Sequence, residues 1–230
     1  MKILAFETSA KAGSVALTEN GKLLAESYQN TGLTHSQTLL TMAQELLKSC
    51  GITPKEVDAV AVAAGPGSFT GVRIGVAAAK GFAWGGEVLC YGVSTLEAMA
   101  RNAGKDGYVL PVMDARRAQV YTALFRGTER VWEDQAIALA DLAEKLKTLE
   151  GPIYLVGDGS VLCYNTLHET ISNLVMPPEH LQHQRAAGVA LAAEVAAQAG
   201  DPGDAAGLKP NYLRLSQAER ERLEKEKRES

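Results

Sequence analysis

Residues 65–71 could bind an anion, because three glycines, Ser68 and Thr70 stand here between a buried apolar run and a helical pattern. Such a junction offers backbone N–H groups and the positive end of a helix to a phosphate. The segment is not a Walker loop, since no Lys-Ser or Lys-Thr follows, and Thr70 occupies the third glycine position of G-x-G-x-x-G. Two interpretations stay open: an anion site at Gly65, Gly67 and Ser68, or a tight turn that lets the helix approach the sheet.

A second group of polar residues, Glu7-Thr8-Ser9, follows the first apolar run of the chain. Thr8 or Ser9 could contact a phosphate, and Glu7 could hold a metal-bound water. The corresponding place in the second half of the chain is Asp114-Ala115-Arg116-Arg117, which contains no glycine. For that segment we favour a structural ion pair at a strand end.

The histidines do not form a metal-binding pattern. A metallopeptidase or metal-dependent transferase needs histidines at i and i+4 on one helix face, and the residue four after His35 is Leu39. His180 and His183 follow two prolines without a matching carboxylate or cysteine. No G-x-S-x-G elbow is present either. We therefore expect no catalytic residue and no metal ligand in this chain.

Hydrophobic periodicity and turn residues predict an α/β chain. In the first half, Asn20-Gly21 is typical of a type I′ hairpin turn, and the Thr34/Gln37 spacing is that of a capping box at a helix start. A further capping box begins at Ser94. The predicted strands are 3–6, 14–19, 22–28, 57–64 and 88–93, and the predicted helices are 34–50, 69–84 and one starting after Ser94.

The same order starts again after the polar stretch 102–107. Its predicted strands are 108–113, 119–126, 129–133, 153–156 and 173–176, and its predicted helices are 139–149 and 161–169. Both halves read β-β-β-α-β-α-β, an internal duplication typical of the two-lobed actin-like ATPase (ASKHA) fold. We predict a first lobe over residues 1–104 and a smaller second lobe with a charged tail over 105–230.

The C-terminal part of the sequence carries two further expectations. The alanine-rich helix 186–199 is predicted to close the second lobe. The tail 216–230 alternates basic and acidic residues, which indicates a solvated helix or a frayed end.

The helix 69–84 is apolar nearly all round, with only Arg73 and Lys80 charged. A helix of that kind is buried nearly all round, and a lobe of this size has little left to cover its second side. We expect a protein–protein interface here together with the helix 34–50; a helix sandwiched inside its own lobe is the alternative. The candidate partner-binding residues are His35, Leu39, Met42, Leu46, Val72, Arg73, Gly75, Val76, Ala79 and Lys80.

Composition narrows the class of protein. The 230 residues include 23 basic and 27 acidic side chains, a net charge of −4, which argues against unaided binding to nucleic acid. Three widely spaced cysteines, Cys50, Cys90 and Cys163, favour a reducing compartment over a disulfide scaffold or a zinc site. There is no signal-peptide pattern and no apolar run long enough to span a membrane, so we expect a cytoplasmic protein without membrane contact.

Several segments resemble the bacterial TsaB (YeaZ) family, in order along the whole chain. Residues 65–75, with the sequence GPGSFTGVRIG, are similar to that family's signature segment. The other matching segments are Phe6-Glu7-Thr8-Ser9, His35-Ser36, Asp114-Ala115-Arg116-Arg117 with Val120-Tyr121, and Pro210-x-Tyr212-Leu213-Arg214. Glu7 departs from the Asp that many relatives carry.

This resemblance implies a function in making N6-threonylcarbamoyladenosine at position 37 of ANN-decoding tRNAs. It implies a non-catalytic, scaffold and activating subunit that binds TsaD, a paralogue that holds a metal on an H-x-x-x-H helix and transfers the threonylcarbamoyl group. It further implies that the ATPase TsaE joins them and that the chain forms a homodimer when alone. ATP and the metal are expected on the partner subunits, with no cofactor on this chain alone and tRNA reached only through the complex.

Two other functions stay open beside the scaffold. A stand-alone ATP-dependent kinase or acyl transferase is allowed by the fold but disfavoured by the missing phosphate-loop glycines. A metallopeptidase is disfavoured by the missing second histidine.

Overall fold

The chain builds two five-stranded mixed sheets in a computed structural model that describes residues 1–104 and 106–214. The first sheet and its connections comprise β1 (Lys2–Glu7), β2 (Gly13–Glu19), β3 (Lys22–Gln29), α1 (His35–Ser49), β4 (Ala59–Gly65), α2 (Phe69–Ala83), β5 (Leu89–Ser94) and α3 (Thr95–Ala103). The second comprises β6 (Tyr108–Asp114), β7 (Gln119–Arg126), β8 (Glu129–Ala138), α4 (Leu139–Leu146), β9 (Ile153–Val156), α5 (Ser160–Leu167), β10 (Leu174–Val175) and α6 (Ala186–Gln198). Single 3₁₀ turns lie at Pro54–Glu56 and Glu179–Leu181.

The two sheets have the same topology. The strand orders are β3-β2-β1-β4-β5 and, read in the same sense, β8-β7-β6-β9-β10. In each sheet the first strand pairs antiparallel with the second and parallel with the fourth. The predicted duplication and the two-lobed actin-like fold are therefore confirmed, whereas the boundary between residues 104 and 105 stays a prediction.

Local sequence signals account for two of the element boundaries. Asn20 and Gly21 both have positive φ angles, 51° and 75°, as a type I′ turn requires. The Ser94 hydroxyl accepts the Glu97 N–H at the start of α3, as predicted. The capping box at Thr34 is wrong, because the Thr34 side chain makes no cap hydrogen bond and lies 3.4 Å from the Ser36 hydroxyl.

Each sheet is covered on both faces. Strand alternation points Leu4 and Phe6 toward α1 and α2, while Ile3 and Ala5 point toward α6. On the second sheet, α3 covers one face and α4 with α5 covers the other. We therefore use "first lobe" for the first sheet with α1, α2 and α6, and "second lobe" for the second sheet with α3, α4 and α5.

The prediction that the alanine-rich helix closes the second lobe is wrong. Ala186, Val189, Ala190 and Ala193 of α6 are fully buried against the first sheet. The other side of α6 packs on α3, where a Cβ on Gly188 would overlap the carbonyl oxygen of Ala98. This close crossing joins the two lobes.

The chain then continues as a strap (residues 199–214) along the first lobe. Leu208 is buried in the core beneath α1 and α2, and the Asn211 N–H donates to the Ala64 carbonyl at 2.6 Å. The predicted tail 216–230 lies outside the described residues. Among the described helices, none is long and apolar enough to cross a membrane.

Candidate functional site

A cleft of about 540 Å³ opens between the two lobes, where β1 and β6 end and α2 begins. It forms here because the loops after two equivalent strands face each other in the duplicated fold. The lining residues are Ser9, Ala10, Lys11, Gly67, Ser68, Phe69, Met113, Asp114, Ala115, Arg116, Tyr121, Asp158 and Arg214.

Glu7 lies beneath this cleft, at the end of β1, and is fully buried. Its Oε1 accepts the Ser9 N–H at 2.6 Å, while its Oε2 has no hydrogen-bond partner. Burial raises the pKa of Glu7 to about 7, partly offset by the hydrogen bonds from Ser9. The carboxyl is thus largely neutral below pH 7, which makes it a poor ligand for a metal-bound water.

Thr8 and Ser9 hold the start of α2 against the end of β1. The Thr8 hydroxyl donates to the Gly71 carbonyl at 2.8 Å, and the Ser68 N–H donates to the Ser9 carbonyl at 2.7 Å. A Cβ on Gly71 would overlap the Thr8 carbonyl oxygen. The glycine is therefore needed for close packing, and Thr8 is buried in that contact instead of facing the cleft.

Gly65 is not part of this cleft. It has a φ of +122°, and the Asn211 carbonyl of the strap lies against its Cα, where a Cβ would clash. Gly65 instead lines a second hollow, of about 410 Å³, between the strap and the ends of β4 and β5. Of the six candidate anion-site residues, Ser9, Gly67 and Ser68 line the cleft, whereas Glu7, Thr8 and Gly65 do not.

The second-lobe wall carries Asp114, Arg116 and Asp158. The Arg116 N–H donates to Asp114 Oδ1 at 2.7 Å, and the two side chains form the predicted ion pair at 3.7 Å. Asp158 accepts the Gln184 amide at 2.8 Å, and burial raises the pKa of its carboxyl. Arg116, Arg117 and Ala118 all have left-handed φ angles, between 54° and 66°.

His35, at the start of α1, contacts the loop between β1 and β2, which lines the cleft. Its Nε2 lies 2.8 Å from the Ala10 carbonyl oxygen, and its ring packs over Gly13, where a Cβ would approach Nδ1 to 2.8 Å. Leu39, four residues later, is buried in the first-lobe core. Across residues 1–104 and 106–214, no three or more His, Cys, Asp or Glu side chains are grouped so that they could hold a metal ion.

Most predicted partner-binding side chains face the first sheet. Those buried in the first lobe are Leu39, Met42, Leu46, Val72, Gly75, Val76 and Ala79. These seven positions form the core between the two helices and the first sheet, so they are not exposed to a partner on the described chain. An interface on α1 and α2 stays a prediction. Lys80 is half-buried and donates to the Ala206 carbonyl at 3.3 Å, which leaves Arg73 as the exposed member of the predicted set.

The exposed side of these helices carries different residues. Leu33, Leu40 and Trp84 are 58%, 62% and 87% exposed, the three highest values among the large apolar side chains of the described residues. Ala77 of α2 is also exposed. We call these four residues the α1/α2 face. Sequence reasoning missed them, although a tryptophan before Gly85-Gly86 at a helix end was a usable signal.

The strap packs against the first turns of α2 and then reaches the cleft. The Tyr212 ring stacks on Phe69 at 4.3 Å, and Arg73 Nε donates to the Tyr212 hydroxyl at 2.7 Å. Two residues later, Arg214 donates to the Ala115 carbonyl at the cleft. Lys11 and Arg214 were not among the predicted site residues, since only the fold brings them to the cleft.

Comparisons with known proteins give a family model named TsaD and curated relatives named TsaB. The family model described as TsaD, tRNA N6-adenosine threonylcarbamoyltransferase, matches residues 28–221. The tRNA threonylcarbamoyladenosine biosynthesis protein TsaB of Bacillus subtilis is 35% identical over 99% of this chain and 100% of its own. The Escherichia coli protein of the same name is 39% identical over 69% of this chain and 72% of its own. The solved structure of YeaZ from Pseudomonas aeruginosa superposes with a TM-score of 0.72 at 26% identity, covering 92% of this chain and 99% of that one.

Proposed function

The chain belongs to the TsaB family, and on that premise we propose that it is a non-catalytic subunit in the biosynthesis of threonylcarbamoyladenosine in tRNA. In this proposal it binds and activates a TsaD-like transferase, which modifies adenosine 37 of ANN-decoding tRNAs. Involvement in this pathway is supported by the name of the Bacillus subtilis relative, which matches 99% of the chain.

The α1/α2 face is the observation that carries the proposal. Leu33, Leu40 and Trp84, the most exposed large apolar side chains in the described part of the chain, lie in or directly beside two neighbouring helices. Exposed apolar surface on a helix is a candidate for a protein–protein contact. We therefore place the contact with the TsaD-like subunit on this face.

The environment of His35 supports a non-catalytic role. In the H-x-x-x-H motif that the resemblance assigns to the transferase, the second histidine position is Leu39 here, a core residue that is 2% exposed. The His35 ring is held over the Ala10 carbonyl and Gly13. The helix that would present two metal ligands therefore supplies packing in this chain.

The remaining parts of the assembly follow from the same proposal. A TsaE-like ATPase joins the complex, and ATP and the metal reside on the partner subunits. The net charge of −4 supports contact with tRNA through the partners. Without partners, a second copy of the chain covers the α1/α2 face and forms a homodimer.

Leu40→Arg tests the docking face. We expect about tenfold or weaker binding to the TsaD-like subunit of the same organism, because a charge replaces a side chain that becomes buried on docking. Binding is measured by calorimetry with purified proteins. The matched control is Val195→Arg, a 41% exposed valine on α6, which covers the opposite face of the same sheet.

A cellular readout completes the test. Leu40→Arg should fail to restore the threonylcarbamoyladenosine content of tRNA in cells depleted of the wild-type chain, while Val195→Arg restores it. Equal binding by the two variants would reject the docking face. Turnover of ATP by the isolated chain would favour the stand-alone kinase or acyl transferase instead.

A further inference from the structure

We propose that Arg73 receives a carboxylate of the TsaD-like subunit when the two chains dock. This inference rests on the proposed function, since it assigns a charged contact to the edge of the α1/α2 face. It adds the sign of the partner's charge at one position, which the apolar residues of that face do not determine.

Arg73 shares the outward side of α2 with two members of the α1/α2 face. Ala77 follows it by four residues and Trp84 by eleven, so the three lie within about 40° of one another around the helix. All three are exposed. Arg73 and Trp84 stand about 16 Å apart along this stripe, and a partner that covers the stripe therefore reaches Arg73 as well.

The strap holds the Arg73 side chain in place. Its Nε donates to the Tyr212 hydroxyl at 2.7 Å. Its guanidinium carbon lies 5.6 Å from the centroid of the Tyr212 ring and 6.0 Å from that of Phe69, and these two rings stack on each other. A cation close to aromatic rings is attracted to them electrostatically. The side chain is thus ordered before a partner arrives, which lowers the entropy that docking costs.

The two terminal nitrogens of Arg73 remain for a ligand. Within residues 1–104 and 106–214, no carboxylate oxygen lies within 4 Å of Arg73, and Nε is the one nitrogen of its guanidinium that makes a hydrogen bond. The terminal nitrogens form a planar fork that matches the two oxygens of a carboxylate. Because an unpaired cation is costly to bury, a partner that covers Arg73 has to supply an anion.

The surroundings of Arg73 favour a protein carboxylate over an RNA phosphate. The other exposed residues of α2 are Thr70, Ala77 and Gly81, and none of them is charged. Binding to a nucleic-acid backbone depends on several cations clustered on one surface. A single cation at the edge of an apolar face instead suits one acidic side chain of a docked protein.

A series of charges at position 73 tests the proposal. Binding to the purified TsaD-like subunit is measured by calorimetry. We expect Arg73→Gln to bind about tenfold more weakly than the wild type. Arg73→Lys should fall between the two, because it keeps the charge but not the planar fork. Arg73→Glu should bind at least about tenfold more weakly than Arg73→Gln, because two carboxylates then oppose each other.

Two further measurements examine the ion pair and its support. Raising the salt concentration from about 0.1 M to about 0.5 M should weaken wild-type binding more than binding of Arg73→Gln. Tyr212→Phe keeps the ring on Phe69 but removes the hydroxyl that accepts Nε, so binding should fall about threefold. The matched control is Arg126→Gln, at an exposed arginine that ends β7 in the second lobe, and it should bind like the wild type. Circular dichroism and thermal melting check that each variant is folded.

The outcomes separate this contact from the docking face itself. The proposal is overturned if Arg73→Glu binds as tightly as Arg73→Gln, since the partner then carries no negative charge there. If Arg73→Gln binds like Arg126→Gln while Leu40→Arg binds weakly, the docking face stands and the carboxylate contact is rejected. If Leu40→Arg also binds like the wild type, the docking face is rejected as well. Normal docking of Arg73→Gln with weaker retention of tRNA by the assembled pair would assign Arg73 to an RNA phosphate and overturn the proposal.

Discussion

At the residue scale, the buried carboxyl of Glu7 should make folding depend on pH. Its pKa in the folded chain is about 7, against an ordinary value of 4.5. Between these pH values the unfolded chain releases a proton that the folded chain retains, so stability falls as the pH rises. Above pH 7 the loss should reach about 3 kcal/mol.

Glu7→Gln tests this assignment. The amide keeps an acceptor for the Ser9 N–H but does not ionise, so we expect a flatter stability profile and a more stable protein at pH 8 than the wild type. Urea unfolding between pH 5 and 8 measures the difference. Glu150→Gln, at an exposed glutamate, serves as the control. If Glu7→Gln keeps the wild-type pH dependence, the carboxyl is not held neutral in the fold.

At the element scale, α2 shows how adjacent residues take different roles. Val76 is 6% exposed and packs in the core on the first sheet, whereas Ala77 is exposed. Val76→Arg should cost about 3 kcal/mol or more, because it forces an unpaired charge into the core. Ala77→Arg should stay within about 0.5 kcal/mol of the wild type. Chemical denaturation compares the two variants.

Partner binding gives the same pair of variants a second readout. Ala77→Arg should fold normally yet weaken binding to the TsaD-like subunit, since it places a charge on the α1/α2 face. If Val76→Arg were as stable as the wild type, Val76 would not face the first sheet, and the orientation assigned to α2 would be wrong.

The sequence predicts where helices and strands lie better than it predicts which side of each helix packs against a sheet. Asn20-Gly21, Ser94 and the repeated strand order are local signals, and the structure confirms what they predict. The side of α2 that meets the sheet was not readable, because Gly75, Val76, Ala77 and Ala79 are all small or apolar. For the same reason an alanine-rich helix gave no indication that α6 crosses to the first sheet.

Only some of the residues that line the cleft could be predicted from the sequence, for a related reason. The glycine loop and Ser9 stand out in the sequence, but Lys11 and Arg214 acquire meaning only when the lobes and the strap bring them together. Pairing of distant segments depends on tertiary packing, which no local pattern encodes.

At the scale of the whole molecule, Gly188 controls how the lobes fit together. A Cβ at this position would overlap the Ala98 carbonyl, where α6 crosses α3. Gly188→Ala should therefore lower stability by about 1–3 kcal/mol through overpacking. For a chain of this size that corresponds to a fall in the thermal midpoint of very roughly 2–12 °C.

A matched substitution separates this contact from helix propensity. Gly81 also lies in a helix, two residues before its last residue, and a Cβ there meets nothing within 4 Å. Gly81→Ala should gain up to about 1 kcal/mol, because alanine favours the helix and no neighbour opposes it. Calorimetric melting of both variants therefore gives opposite signs if the crossing of α3 and α6 is as tight as the structure has it.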